Sequence, residues 1–330
     1  MVVKQSVYIT RFLMPQILDL FAGCNVEMSS EKRILAKGEL LEKIIGKDAV
    51  VPIADTIDEE ICQAIKTKCK IIANYGVGYN NIDIESATRH GIYVSNTPDV
   101  VTDATADLAW TLLLATARRV VECDTFVRSG RKDWGPMNLL GSHVAGKTLG
   151  IVGGGRIGLA VALRGRGFKM KVIYTDVQNN LAFEAATDGK FVDRETLVKD
   201  ADFISVHVPL LPSTRHLISA HEFQLMKKSA IVINTARGPI IDEKALVEAL
   251  RKGQIAGAGL DVFEQEPDLM TGLSAFPNVV LTPHVGTSTF DTRIEMAAVC
   301  AENVSAALKD QMPPNCLNPE ARSNRQKSLY

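Results

Sequence analysis

The feature that most constrains the fold of this chain is a glycine-rich run in mid-sequence, GIVGGGRIG, which spans residues 150–158. An apolar pattern typical of a buried strand, Thr148–Val152, leads into glycines spaced G-x-G-x-x-G, and a helical pattern follows. Gly153 permits a tight turn, Gly155 lets a pyrophosphate approach the backbone, and Gly158 lets helix and strand pack closely. The helix N-terminus offers N–H groups to phosphates. The run therefore predicts a dinucleotide-binding turn.

A second apolar strand, Lys171–Thr175, ends at Asp176. An acid at this place accepts hydrogen bonds from the adenosine ribose and repels a 2′-phosphate, which favours NAD over NADP. Residues 177–180 contain no Arg or Lys that could hold such a phosphate. A glycine-rich turn without a ligand is the alternative, and the order strand, turn, helix, strand and acid disfavours it.

Composition narrows the class of protein. The 330 residues suffice for two domains, and an apolar fraction of 46% is typical of a soluble globular protein. A formal net charge of −1 gives no electrostatic reason to expect nucleic acid or an anionic membrane as a partner. We see no secretory signal, no apolar run long enough to span a bilayer, and no metal-ligand spacing among the six cysteines. These features predict a cytoplasmic enzyme without a metal.

Strand patterns alternate with helical patterns, which predicts α/β architecture with largely parallel sheets. Further strands are predicted at residues 2–9, 25–28, 49–53, 70–73, 93–94, 203–206, 230–234, 258–260 and 279–281. Helices are predicted at residues 57–68, at 103–121 as a connector between domains, and at 289–308 as a return to the first domain. The pattern predicts a discontinuous substrate domain (1–98 plus 289–330), an NAD-binding domain (99–288) and a cleft with a hinge between them. The polar end, 320–330, is predicted to be a frayed tail.

Three strand ends carry residues suited to reduction of a 2-oxo acid, which needs a cation for the carboxylate, an acid for the developing alkoxide, and a partner that orients the acid. Arg237 follows one apolar strand, Glu266 follows another and precedes a proline, and His284 follows a third. Arg237 could instead be a surface residue in a turn. Asp261 and Glu264 could be solvated or could contact cofactor amides. His207 is the rival to His284, although cofactor contact or packing suits its place at a strand edge better.

The motifs GGGRIG, NTARGPIIDEKAL, GAGLDVFEQEP and LTPHVG occur in this order, with NYGVGYNNIDI and NTPDVVTDATADLAWTLLLATARR upstream. Together they cover nearly the whole chain and resemble the D-isomer-specific 2-hydroxyacid dehydrogenase family, in particular its glyoxylate and hydroxypyruvate reductase group. The resemblance implies two domains, each with a doubly wound parallel sheet. One is a flavodoxin-like substrate domain, and the other is an inserted Rossmann domain. The resemblance also implies a homodimer whose contact involves residues 103–121 and the loop around Trp134.

The resemblance implies roles for individual residues. Arg237 would bind substrate, Glu266 would pair with His284, and His284 would donate and accept the proton. Val77 and Gly78, in a glycine-rich turn, would bind the substrate carboxylate through backbone N–H groups. The residues implied in cofactor binding are Thr105, Gly153, Gly155, Arg156, Ile157, Gly158, Asp176, His207, Val208, Pro209, Thr214, Thr235, Ala236, Arg237, Asp261, His284 and Gly286.

Two segments depart from the family pattern. Residues 286–289 read Gly-Thr-Ser-Thr where Gly-Ser-Ala-Thr is common, a small change. Asn138 occupies roughly the place of an aromatic residue that restricts the pocket in some relatives, which leaves room for a larger substrate such as a 2-keto sugar acid. We therefore expect an NADH-dependent reductase of glyoxylate, hydroxypyruvate or a similar 2-oxo acid. The alternatives are a phosphoglycerate dehydrogenase without a regulatory domain and an NAD-sensing protein that resembles the corepressors.

Overall fold

The computed structural model describes residues 4–327, which form two compact units. The first unit comprises the chain up to Val101 and from Ser288 onwards, and the second comprises Thr102–Thr287. Each unit has its own parallel sheet, as predicted for the fold class. Within residues 4–327, no helix has both the length and the apolar character needed to cross a membrane.

The first unit contains a five-stranded parallel sheet of order β2-β1-β3-β4-β5, the flavodoxin-like order. Its strands are β1 (Ser6–Ile9), β2 (Asn25–Met28), β3 (Ala49–Val51), β4 (Ile71–Ala73) and β5 (Tyr93–Ser95). Its helices are α1 (Lys37–Ile44), α2 (Glu59–Ile65), α3 (Ile84–Arg89), α11 (Phe290–Leu308) and α12 (Ala321–Lys327). The predicted start of β1 at Val2 lies outside the described residues.

Side chains of the first sheet alternate between two apolar cores, as the pleat of a strand requires. Val7 and Ile9 face the core that contains α11, whereas Tyr8 faces the core that contains α1 and α2. On α11, Met296, Cys300 and Val304 recur every fourth residue and are buried against the sheet. Both faces of the sheet are therefore covered by helices.

The prediction of a frayed tail is wrong for Ala321–Lys327, which form α12. The buried side chain of Asn318 anchors the segment before it: Oδ1 accepts the N–H of Val94 (2.7 Å), and Nδ2 donates to the carbonyl of Ile92 (2.9 Å). Ala321 is fully buried in the core. These contacts are with distant parts of the chain, so the local polar composition does not reveal them. Residues 328–330 of the predicted tail lie outside the described part of the chain.

The second unit contains a seven-stranded parallel sheet of order β12-β11-β10-β9-β6-β7-β8. Read from β6, this is the Rossmann order 3-2-1-4-5-6 with one further strand. The strands are β6 (Thr148–Val152), β7 (Lys171–Thr175), β8 (Lys190–Phe191), β9 (Phe203–Val206), β10 (Ile231–Asn234), β11 (Gly257–Leu260) and β12 (Val279–Leu281). The helices are α4 (Thr102–Ala117), α5 (Val120–Arg128), α6 (Arg156–Gly165), α7 (Leu181–Thr187), α8 (Arg194–Asp200), α9 (Ala220–Leu225) and α10 (Glu243–Arg251). Among these strands, the two-residue β8 was not predicted.

The single helix predicted over residues 103–121 is in fact broken. It ends at Ala117, and α5 begins after Arg119, whose φ of 53° is left-handed. The carbonyl of Ala117 accepts the N–H of Ser142 (2.7 Å), and a Cβ on Gly141 would lie 2.4 Å from the same oxygen. A later loop therefore closes over the end of α4, which packs on β10, β11 and α6 of its own unit.

Candidate active site

The predicted site residues of the second unit lie almost entirely on loops beyond the carboxyl ends of its strands, where open parallel sheets bind ligands. Gly153 follows β6, Asp176 follows β7, His207 follows β9, Thr235 follows β10 and Asp261 follows β11. Arg156, Ile157 and Gly158 form the first turn of α6; Val208, Pro209 and Thr214 follow His207; Ala236 and Arg237 follow Thr235; Glu266 follows Asp261; His284 and Gly286 follow β12. Thr105 belongs to α4.

The glycine turn leaves a space suited to a pyrophosphate. Gly153 has a φ of 99°, and a Cβ on Gly158 would lie 2.0 Å from the carbonyl oxygen of Gly153. Both positions therefore require glycine. Gly155 is the N-cap of α6, and a Cβ built on it would meet no atom within 4 Å. The positive end of α6 thus faces open space that an anionic group fits.

Asp176 is bound to the glycine turn. Its Oδ2 accepts the N–H of Gly154 (2.8 Å), and its Oδ1 accepts the N–H of Val177 (2.7 Å). The side chain of Asn180 donates to the carbonyl of Gly154 (3.1 Å), so the turn and the residues after β7 form one cradle. A carboxylate oxygen can accept further hydrogen bonds, which suits the ribose hydroxyls of NAD.

The hydroxyl groups of Thr235 and Thr214, both predicted to contact the cofactor, differ in their hydrogen bonding. The hydroxyl of Thr235 is buried and has no hydrogen-bond partner among the described residues, so a bound ligand would satisfy it. The hydroxyl of Thr214, by contrast, is used within its own loop: it donates to the carbonyl of Pro209 (2.6 Å) and accepts the N–H of Leu211 (2.8 Å).

His207 is held as a neutral ring. Its Nε2 forms a hydrogen bond of 2.8 Å with the hydroxyl of Ser205, which is buried in β9. Burial lowers the pKa of His207 to about 3. A Cβ on Gly153 would lie 2.8 Å from the carbonyl carbon of His207, so this residue borders the glycine turn. His207 therefore suits cofactor contact and cannot serve as an acid near neutral pH.

Asp261 holds the loop that carries His284. Its Oδ1 accepts from the hydroxyl of Thr282 (2.6 Å) and the N–H of Val285 (2.8 Å), and its Oδ2 accepts the N–H of Gly286 (2.8 Å). The N–H of His284 donates to the carbonyl of Asp261 (2.8 Å), while the φ of His284 is 53°. Burial raises the pKa of Asp261, and these hydrogen bonds oppose that effect. The side chain thus stabilises a left-handed backbone at His284.

The side chains of His284 and Glu266 are hydrogen-bonded to each other. Nδ1 of His284 lies 2.8 Å from Oε2 of Glu266, and Oε1 of Glu266 accepts the N–H of Phe263 (3.0 Å). Burial raises the pKa of Glu266, but the hydrogen bond to His284 and its charge outweigh burial, so the net pKa lies below the usual value. Glu266 is therefore ionised near neutral pH and accepts the hydrogen bond from Nδ1 of His284.

Arg237 lies near this pair, since it and Glu266 stabilise each other's charged forms. Burial lowers the pKa of Arg237, with Glu266 acting in the opposite direction, yet an arginine remains a cation in proteins. The buried Asn234 shapes its loop by donating to the carbonyl of Arg237 (2.9 Å) and accepting the N–H of Ala236 (3.0 Å). Cation, carboxylate and imidazole are thus brought together in the second unit.

In the first unit, asparagine side chains orient the loop that contains Val77 and Gly78. Nδ2 of Asn74 donates to the carbonyls of Gly76 (3.0 Å) and Gly78 (2.9 Å), and Nδ2 of Asn96 donates to the carbonyl of Val77 (2.8 Å). In a trans peptide the N–H points away from the preceding carbonyl. The N–H groups of Val77 and Gly78 therefore point away from the asparagines, as an anion-binding turn requires.

Sequence reasoning missed several contributors, among them Asn74, Asn234 and Ser205. Each lies in or directly beyond a strand of the parallel sheets, and short polar side chains at such places commonly bind nearby backbone groups. This position in or directly beyond a strand is the sequence signal by which these residues could have been found. Glu264, for which solvent or cofactor contact was left open, has a side chain only 14% exposed and lies beside His216. The exposed Asn138 donates to the carbonyl of Asp133, so its effect on substrate size stays a prediction.

Known proteins that are similar to this chain belong to one enzyme family. A family model described as D-isomer specific 2-hydroxyacid dehydrogenase, NAD binding domain, matches residues 110–286. The glyoxylate reductase of Thermococcus litoralis is 48% identical over 324 residues, which cover 96% of this chain and 98% of that protein. The TT0316 protein from Thermus thermophilus has 44% identity and a TM-score of 0.89, covering 95% of this chain and 100% of that one. A glyoxylate reductase from Paecilomyes thermophila has 32% identity and a TM-score of 0.86, covering 97% and 99%.

The chain belongs to the D-isomer specific 2-hydroxyacid dehydrogenase family. It is an oxidoreductase that binds NAD and acts on the CH–OH group of small 2-hydroxy acids, or on the corresponding 2-oxo acids in reverse. The predictions of family, fold class, enzyme class and cofactor are thereby confirmed.

Replacing Asp176 with Ala should weaken the use of NADH relative to NADPH, because the variant loses the ribose acceptor and the charge that repels a 2′-phosphate. Steady-state kcat/KM with each cofactor measures the ratio. Asp188→Ala, at the C-terminal end of α7, is the matched control. An unchanged NADH/NADPH ratio in Asp176→Ala would contradict the ribose contact.

Proposed function

We propose that this chain reduces glyoxylate, hydroxypyruvate or a closely similar 2-oxo acid with NADH. The observation that carries the proposal is the His284–Glu266 pair beside Arg237, on loops that follow neighbouring strands. This arrangement supplies the acid, its orienting carboxylate and a carboxylate-binding cation. Relatives named glyoxylate reductase support the choice of substrate.

In the proposed reaction, Arg237 binds the substrate carboxylate and polarises the ketone with its guanidinium. Nδ1 of His284 is occupied by Glu266, so Nε2 remains to donate a proton to the ketone oxygen. NADH, when bound, supplies the hydride for the keto carbon. In the oxidative direction His284 removes the proton from the hydroxyl group. Since burial keeps His207 neutral, His284 is the histidine that fits the acid's role.

We further propose that the N–H groups of Val77 and Gly78 bind the substrate carboxylate. The orientation of the preceding carbonyls, those of Gly76 and Val77, toward Asn74 and Asn96 supports this role. We retain the substrate-binding role for residues 1–98 and 289–330 and the NAD-binding role for residues 99–288. We also propose that the residues for which the family resemblance implies a contact with the cofactor make that contact.

We propose that the chain forms a homodimer through α5 and the loop after it. Val120, Val121 and Val127 on α5 are all exposed, and in the loop Trp134 and Met137 are 71% and 75% exposed. An exposed apolar surface of this kind marks a protein contact. Half of the residues of α4, which the sequence prediction included, are buried within the second unit, so we assign the contact chiefly to α5 and the loop. The predicted location in the cytoplasm stays a prediction.

A panel of 2-oxo acids tests the proposed activity. We expect NADH oxidation with glyoxylate or hydroxypyruvate to give the highest kcat/KM. A preference for 3-phosphohydroxypyruvate would favour a phosphoglycerate dehydrogenase, and a preference for a 2-keto sugar acid would support the more open pocket predicted from Asn138. No turnover on any of these acids, despite tight NADH binding, would favour an NAD-sensing protein and contradict the proposal.

Replacing His284 with Ala should lower kcat at least about 10²-fold, the usual contribution of a general acid. Glu266→Gln should also lower kcat, because a neutral amide replaces the carboxylate that orients the ring of His284. Full activity in His284→Ala would rule out its role as proton donor.

Light scattering coupled to size-exclusion chromatography tests the dimer. The wild type should have the mass of a dimer, and Trp134→Asp should yield a monomer because a charge replaces an apolar contact. Ile45→Asp, at an exposed apolar residue of the first unit, should remain dimeric. A dimeric Trp134→Asp, or a monomeric wild type, would contradict the proposed contact.

A further inference from the structure

Two glutamates outside the proposed catalytic set bind each other's backbone. Oε1 of Glu264 accepts the N–H of Glu243 (2.9 Å), and Oε1 of Glu243 accepts the N–H of Glu264 (2.8 Å). Glu243 is the first residue of α10, so its N–H is one of those that a helix leaves without an internal partner. We call this arrangement the reciprocal pair. It joins the start of α10 to the loop after β11.

The reciprocal pair lies in a protected place. Glu243 is only 3% exposed, and Oε2 of Glu264 lies 3.1 Å from Nε2 of His216. Burial raises the pKa of Glu243, and the charges of Glu264 and Glu266 add to that effect, while the N–H of Glu264 opposes it. Burial of a carboxyl group is costly unless it is hydrogen-bonded. The two backbone N–H groups therefore help to offset the cost of keeping both glutamates here.

The loop joined by the reciprocal pair carries Glu266. Glu264 precedes Glu266 by two residues, and Oε1 of Glu266 accepts the N–H of Phe263 from the same turn. Any displacement of the backbone at Glu264 therefore moves the carboxylate that lies 2.8 Å from Nδ1 of His284.

The same turn also contacts the loop that carries Arg237. A Cβ on Gly238 would lie 1.9 Å from the carbonyl carbon of Phe263 and 2.4 Å from the nitrogen of Glu264. His216 adds a third loop, because its N–H donates to the carbonyl of Pro239 (2.8 Å) while its ring reaches Glu264. The charged groups around Glu264 are Arg215, His216, Asp242, Glu243 and Glu266.

We propose that Glu264 and Glu243 are positioning residues that set the orientation of Glu266 toward His284. The inference rests on the proposed function and deepens it. Neither glutamate reaches the reacting atoms: their carboxylates act on backbone groups, and through these on Glu266. What matters is the reach of the Glu264 side chain to the N–H of Glu243, more than its charge.

Substitutions at Glu264 separate reach from charge. Glu264→Gln keeps the length of the side chain and a carbonyl oxygen that accepts the N–H of Glu243, but it has no charge. Glu264→Asp keeps the charge and is one methylene shorter. Glu264→Ala removes both. Glu248→Ala is the control, since Glu248 is on the same helix and its carboxylate pairs with Arg251 and Lys252 on the surface.

The main readout is the NMR signal of the His284 Nδ1 proton in histidine-labelled protein, assigned by its loss in His284→Ala. We expect Glu264→Ala and Glu264→Asp to shift or lose this signal, because the carboxylate of Glu266 is no longer held at the ring. In the same variants kcat should fall about 10- to 100-fold, the effect of a misplaced catalytic group, while NADH affinity stays unchanged. Glu264→Gln and Glu248→Ala should behave like the wild type.

Two results would overturn the inference. The first is an unchanged Nδ1 proton signal in Glu264→Asp, which should fold even if Glu264→Ala does not. The second is loss of this signal and of activity in Glu264→Gln while both are retained in Glu264→Asp, which would mean that charge acts and position does not. Because the signal needs no turnover, a wild type inactive on all 2-oxo acids would refute the proposed function and still leave this comparison decisive.

Discussion

In the second unit, the carboxylate of Asp261 lies beneath the loop that carries His284 and accepts hydrogen bonds from Thr282, Val285 and Gly286. A left-handed backbone is unfavourable for histidine, and hydrogen bonds to one buried acid stabilise it. The direction of the imidazole follows from that backbone, and its hydrogen bond to Glu266 follows from that direction. Asp261 was predicted to contact the cofactor, which stays a prediction; in the structure its oxygens hold the loop that carries His284.

Much of the fold could be predicted from sequence, because most strands of both sheets are short apolar runs, which at the centre of each sheet are buried on both faces, and they alternate with amphipathic helices. The errors have a common physical origin. The break between α4 and α5 depends on Ser142 and Gly141, which are distant in sequence from Ala117. The helix α12 depends on Asn318, which binds backbone groups of β5 and its neighbour. Such tertiary contacts leave no periodic signal near the residues that they affect.

The candidate site likewise contains residues that could be predicted from the sequence and residues that could not. Arg237, Glu266 and His284 could be inferred because each follows a recognisable strand, and parallel strands place their carboxyl ends at one edge. Asn74 and Glu264 could not, because their partners are backbone atoms whose positions depend on the folded loops. A polar residue beside a motif has no distinctive pattern unless the backbone group that it binds is known.

The close approach at Gly238 has a consequence for how such a site can vary. Because there is no room for a Cβ between this glycine and the backbone of Phe263, the loops that bear Arg237 and Glu266 can move only together. A substitution that shifted one of them would shift the other, so the spacing of cation and carboxylate is not adjustable by small steps. A change of substrate size would therefore be accommodated by segments outside these two loops, and the spacing of Arg237 and Glu266 would stay as it is.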